Sequence, residues 1–323
     1  MRKRIVVAVV AVLAAVGAGV PVAPAGASGT ADPRARASVE GRYAVGVRTE
    51  TFVDTSRPTD ANGTYPGAPD RTLATTIWYP AEGSPGAADV AGAPAIRGRR
   101  FPLLVFAHGF TGTGPAYGLL LRRIASAGYV VAAPTFPLSN GAAPGGPRLI
   151  DVVNQPADVR FVIDELLRLD ADPASPYGSV LWRRRIAVGG HSLGAVTTLG
   201  MLNSCCRDGR VDAYIPLSGI EVALPGGSYT YDFRAPLLLI HGDQDTTVPL
   251  AGSQSAFAGA HGPKFLLNLL GGSHVPFGPP YGDVIIDTMI HFLDRYLKGA
   301  PGSIRAMVQD GNLAGAAQLT RGQ

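Results

Sequence analysis

Apolar positions along this chain follow two alternating rhythms. Short apolar runs at Leu103–Ala107, Tyr129–Ala133, Ile186–Gly189, Ala213–Leu217, Leu237–Ile240 and Lys264–Leu269 read as strands. Between them the apolar residues recur at helical spacing. In Gln155–Leu169 the side chains of Val159, Val162, Ile163, Leu166 and Leu167 share one face. Tyr117–Ala127, Leu193–Leu202, Pro249–Ala260 and Val284–Leu297 read as helices too. Two extended segments, Val45–Val53 and Thr72–Tyr79, come earlier, joined by a Pro-, Gly-, Asn- and Asp-rich connection. Strands that alternate with helices in this way predict an α/β fold: a mostly parallel central sheet flanked by helices, with right-handed crossovers. In such sheets functional groups gather beyond the carboxyl ends of the strands. Every member of a catalytic set is therefore expected just after a strand.

The amino terminus departs from this pattern. Arg2, Lys3 and Arg4 precede an uncharged apolar run, Ile5–Val20, and then the small-residue stretch Ala23-Pro24-Ala25-Gly26-Ala27. That is the make-up of an export signal cleaved after Ala27. The competing reading, a retained anchor, would need a span of ~20 residues. The expected organisation is a signal peptide at 1–27, a flexible leader at 28–38, a catalytic domain at 39–298 and a carboxyl-terminal tail at 299–323. It implies a secreted protein with no integral membrane segment after cleavage. Charge has to be read on the mature chain. The full sequence carries 28 Lys and Arg against 24 Asp and Glu. Three of the basic residues and none of the acidic ones lie in residues 1–27, so the net charge falls to +1. Such a balance gives no case for nucleic acid or an anionic membrane as partner.

The only cysteines are neighbours, Cys205 and Cys206. Adjacent Cα atoms lie ~3.8 Å apart, below the usual disulfide range of ~4.4–6.8 Å. Two half-buried thiols are the plainer expectation, with a strained vicinal disulfide as the alternative. Adjacent thiols without spaced partners make a poor tetrahedral site, so no metal is expected.

The chemistry gathers around Ser192. It follows Ile186–Gly189 and precedes a helix, with Gly190 and Gly194 leaving room for a sharp turn, the context of a nucleophile elbow. A serine hydroxyl needs a base at neutral pH. Among six histidines, His274 lies after the strand Lys264–Leu269, where chain order Ser, acid, His puts the base. The side chain of His191, next to the serine, is expected to point elsewhere, and His261 and His291 read as surface or packing residues. The acid is expected at Asp245, with Asp243 shaping the loop and Glu221 a distant alternative. Donors for a developing oxyanion are expected from the backbone N–H groups of Leu193 and Phe110. Tyr117, Phe136 and Phe277, with Phe110, are expected to form an apolar acyl wall.

With "HGFTG", "GGHSLG", "HGDQDTTVP" and "GGSH" in this order, the chain resembles the α/β-hydrolase superfamily over residues 40–298. "VGVRTETFVD", "TLATTIWYP" and "QPADVRFVIDEL" are similar to the platelet-activating-factor acetylhydrolase and dienelactone-hydrolase-like group. The resemblance implies a serine esterase that takes lipid-like or small esters without cofactor or metal; a monomer is expected. Ser192 departs from the Cys nucleophile of true dienelactone hydrolases. A weaker likeness runs to actinobacterial cutinases and polyester hydrolases, whose Trp after the following strand is missing from "YIPLSGIE". Only about twenty residues separate Ala213–Leu217 from the next strand, too few for a helical cap, so an open cleft is expected. The reading from a different class is a non-catalytic binding protein of the same fold.

Overall fold

The computed structural model describes residues 41–86, 88–231 and 234–322. The expected signal peptide and leader lie outside the described residues. Strands β1 (Ala44–Asp54) and β2 (Arg71–Ala81) pair antiparallel over their full lengths. β3 (Asp89–Ala91) is a short exposed edge beside β1. The centre of the sheet is built from β4 (Phe101–Ala107), β5 (Val130–Thr135), β6 (Leu181–His191), β7 (Val211–Leu217), β8 (Leu237–Gly242) and β9 (Lys264–Leu269). These run parallel, in the order β9-β8-β7-β6-β4-β5, and β2 joins β5 antiparallel. Every residue of β4 is buried, as an interior parallel strand covered on both faces requires.

Alternation along β4 shows the two layers directly. Leu103, Val105 and Ala107 join the core under α2 (Gln155–Ala171), with Leu199 of α3 (Leu193–Gly200) and Ala256 of α4 (Ala251–Gly259). Leu104 and Phe106 face α1 (Gly118–Ser126), α5 (Tyr281–Tyr296) and α6 (Ser303–Asp310). The face read from helical spacing in α2 is the buried one: Val159, Val162 and Ile163 are fully enclosed. Its first turn also carries Asp158, which takes two hydrogen bonds of 2.7 Å from the buried Arg71 of β2. Arg71 reaches Asp151 as well, at 2.7 Å. This buried ion network was not legible in the apolar pattern.

This arrangement is the α/β-hydrolase fold, with the exchange of β4 and β5 in the sheet order. Between β7 and β8, residues 218–231 and 234–236 contain no helix, so among the described residues no helical cap is inserted there over the carboxyl end of the sheet. No described helix is long and apolar enough to cross a membrane. Two expectations need correction. Residues 299–323 do not form a tail: α6 buries Met307 against the core, and β10 (Ala317–Gly322) pairs antiparallel with β9. α6 is short and offers only Ile304, Met307 and Val308 as large apolar residues, so the pattern gave little sign of structure. Cys205 and Cys206 are joined by a disulfide rather than carrying two thiols, because the turn after α3 brings the neighbouring sulfurs together.

Candidate active site

β6 ends at His191 and α3 begins at Leu193, leaving Ser192 at the tip of the turn between them. Its backbone has φ 56° and ψ −117°, a conformation that L-residues other than glycine rarely adopt. The crowding around it explains the flanking glycines. A Cβ on Gly190 would stand 2.4 Å from the Gly194 carbonyl oxygen, and one on Gly194 would stand 2.0 Å from that of Ala107. With both side chains absent, α3 presses onto the end of β4. The Ser192 N–H donates to the Leu217 carbonyl at 2.9 Å, fastening the turn to β7.

Ser192 Oγ lies 2.7 Å from His274 Nε2, on the segment after β9. His274 Nδ1 lies 2.7 Å from Oδ2 of Asp245, on the turn after β8. The other oxygen of that carboxylate accepts the N–H groups of Thr247 and Val248, each at 2.8 Å. Burial acts to raise the pKa of Asp245. Hydrogen bonds from His241, His274 and the Val248 amide outweigh it and hold the carboxyl well below the usual range. An ionised Asp245 makes His274 Nδ1 the donor, which leaves Nε2 as an acceptor for the serine proton. Asp243 Oδ1 accepts the Gly271 N–H at 2.7 Å, so it braces the turn after β8 against the loop bearing His274. Glu221 takes no part in these hydrogen bonds; burial pushes its pKa up to about 7.

Phe110 lies on the turn after β4, and Leu193 is the first residue of α3. Neither backbone N–H donates to another described residue, so both remain available. Phe110, Tyr117, Leu119, Leu120, Val275 and Phe277 line a cleft of about 380 Å³, with Ser192 and His274 in its wall. Leu119 and Val275 are 69% and 62% exposed, so apolar surface continues past the cleft into solvent. Phe136 does not belong to this wall. It is wholly buried, its ring packs 5.0 Å from that of His108, and its N–H donates to His108 Nε2.

Two further histidines take part, and the sequence reading placed neither of them in the site. His241 is buried with Nε2 3.2 Å from Asp245 Oδ2 and Nδ1 2.7 Å from Ser253 Oγ. The "HGDQD" motif held the signal: a histidine four residues before the acid, at the end of the same strand. His191, expected to point away, lies with Nε2 2.7 Å from the His274 carbonyl oxygen and Nδ1 2.8 Å from the Tyr117 hydroxyl. His261 is exposed, and His291 pairs with Asp310 at 3.0 Å. Among the described residues, no group of three or more His, Cys, Asp or Glu side chains is placed to hold a metal ion.

Residues 87–137, which carry β3, β4, α1 and the whole of β5, match the family model for platelet-activating factor acetylhydrolase, isoform II. A curated relative, the uncharacterized protein YfhR of Escherichia coli O157:H7, is 26% identical over 129 residues. That match spans 34% of this chain and 45% of the relative, less than half its length. A solved ferulic acid esterase from Streptomyces cinnamoneus superposes with a TM-score of 0.67 at 25% identity, over 89% of this chain and 98% of that one. The chain thus resembles esterases of the platelet-activating-factor acetylhydrolase kind.

Proposed function

We infer that this α/β-hydrolase is a carboxylic ester hydrolase, and we propose Ser192, His274 and Asp245 as its catalytic residues. The observation that carries the reading is the unbroken hydrogen-bonded line from Ser192 Oγ through His274 to Asp245, with two free amides beside the serine. Ser192 Oγ attacks the acyl carbon while His274 Nε2 takes its proton, forming a tetrahedral oxyanion. The N–H groups of Phe110 and Leu193 face that charge. Collapse expels the alcohol, which receives the proton from His274, and leaves an acyl-enzyme. Water, deprotonated by the same nitrogen, then attacks the acyl carbon; the Oγ–acyl bond breaks, His274 returns the proton to Ser192 Oγ, and the acid is released. Asp245 stays ionised throughout and stabilises the imidazolium.

The substrate we propose is a lipid-like or otherwise bulky ester. The uncapped cleft and the exposed Leu119 and Val275 at its mouth support this, because a buried channel would reject large acyl or alcohol groups. The same open apolar rim supports a second reading, a cutinase-like polyester hydrolase. Export after cleavage near Ala27 is part of the proposal, supported by the basic start and the apolar run Ile5–Val20. Ser192→Ala is expected to lower hydrolysis of a p-nitrophenyl ester by several orders of magnitude and to abolish labelling by an organophosphonate. Near-normal turnover in that variant would refute the triad. Comparing short-chain, long-chain and polymeric esters then ranks the substrate classes.

A further inference from the structure

We propose that Tyr117 and His191 are positioning residues that tie the oxyanion side of the site to the base side; the proposal rests on the triad reading above. One hydrogen-bonded chain makes the connection. The Gly109 N–H reaches the Tyr117 hydroxyl oxygen at 3.1 Å, that hydroxyl reaches His191 Nδ1 at 2.8 Å, and His191 Nε2 reaches the His274 carbonyl oxygen at 2.7 Å.

The direction of the chain is forced from its far end. A backbone carbonyl only accepts, so His191 Nε2 must carry the proton. Nδ1 of the neutral ring is then the acceptor, the tyrosine hydroxyl must donate to it, and the hydroxyl oxygen is left to accept the Gly109 N–H. Burial and the neighbouring His274 push the pKa of His191 down to about 3. Burial, against the Gly109 hydrogen bond, pushes that of Tyr117 up to about 12. Both groups therefore stay neutral near pH 7, and each link has one proton arrangement.

The segments joined are distant in the sheet. Gly109 and Phe110 follow β4, whereas His274 follows β9, and β6, β7 and β8 lie between those strands. Sheet hydrogen bonds do not link the two turns directly. The Tyr117–His191 chain crosses the gap next to the nucleophile. The junction is close-packed: a Cβ on Gly109 would stand 3.1 Å from the Tyr117 hydroxyl, 3.3 Å from His191 Nδ1 and 3.3 Å from Ser192 Cβ. The rings of His191 and Phe277 lie 4.9 Å apart, holding the imidazole from its other side. The Phe110 amide and the His274 ring thus keep a set separation on either side of Ser192, as a tetrahedral intermediate requires.

Tyr117→Phe keeps the aromatic wall and removes only the bridging oxygen. It is expected to lower kcat of a p-nitrophenyl ester by about 10- to 100-fold, with KM within about twofold, since small misplacements of a catalytic set can cost ~10²-fold. His191→Phe should lower kcat similarly, while His191→Gln, which keeps an acceptor and a donor, should recover part of the loss. The double variant Tyr117→Phe/His191→Phe should lose little more than either single one, because one chain is broken once. Active sites are counted by phosphonate titration, so that loss of folded protein is not read as loss of rate. If kcat per titrated site stays at the wild-type value in Tyr117→Phe, or in His191→Phe should the first variant not fold, the positioning role is overturned and the chain is structural only. Full turnover in Ser192→Ala is a different failure: it overturns the triad reading, and this proposal with it.

Discussion

Gly194→Ala tests whether the approach of α3 to β4 builds the site. The new Cβ would stand 2.0 Å from the Ala107 carbonyl oxygen, 2.5 Å from its carbonyl carbon and 2.9 Å from the His108 carbonyl oxygen. All three are backbone atoms, so no side chain can swing away. An ordinary contact begins near ~3.4 Å, and relief therefore needs a shift on the order of 1 Å between the start of α3 and the end of β4. Those two segments carry Leu193 and Phe110, whose N–H groups are proposed to face the oxyanion. Forced overpacking of this kind costs about 1–3 kcal/mol of stability. Displacing one donor from the other should cost about 10²-fold or more in kcat/KM. The assay is steady-state hydrolysis of a p-nitrophenyl ester, with thermal unfolding in parallel. A folded Gly194→Ala enzyme with near-wild-type kcat/KM would refute the argument that close helix–strand contact sets the oxyanion donors.

In Asp245→Asn, the Thr247 and Val248 amides keep the side-chain oxygen on their side, so the new NH₂ faces His274 Nδ1. That nitrogen must then accept, Nε2 gains the proton, and kcat should drop by about 10³–10⁴-fold with the fold retained, as measured by turnover and circular dichroism. Burial lowers the pKa of His108 to about 4 and that of His191 to about 3, against an ordinary 6.5. Between about pH 4 and 6 the unfolded chain binds these protons and the folded chain does not, so stability should fall with falling pH. The slope should approach about 2.7 kcal/mol per pH unit for the pair, and urea unfolding at pH 7, 6 and 5 that shows no trend would contradict it. Replacing Arg71 with Met takes from Asp151 its arginine partner and leaves Asp158 only Arg57, at 2.8 Å; destabilisation of about 3–5 kcal/mol is expected by urea unfolding, with the active-site geometry untouched in the fraction that folds.

Much of the fold was legible because its elements repeat their own signature. Parallel strands covered on both faces, such as β4, read as unbroken apolar runs, and α2 showed its buried stripe through spacing alone. Ser192, Asp245 and His274, which lie within hydrogen-bond distance of one another in series, were singled out by position just after a strand, by the glycines around the serine and by the order serine, acid, histidine. α6 and β10 escaped, since their contribution depends on an edge of β9 that no nearby residue reveals. Phe136 was misplaced for a related reason: an aromatic after a strand can face the cleft or the core, and only the packing of its ring against His108 decides.

The sequence by itself determined the alternation of strand and helix, the absence of a cap between β7 and β8, and the order in which serine, acid and histidine arrive. These are local or one-dimensional properties, carried by periodicity, chain length and glycine placement. Only the tertiary structure decided how those residues face one another. The 2.7 Å contacts of His274 join residues 29 and 82 positions apart, and the Tyr117–His191 link spans 74. His191 shows the difference best: beside Ser192 in the chain it looked incidental, yet its Nε2 lies 2.7 Å from the carbonyl oxygen of His274, on the loop after β9. Side-chain direction at such a turn follows from the packing of β6, α3 and the neighbouring loops together, which no single stretch of sequence encodes.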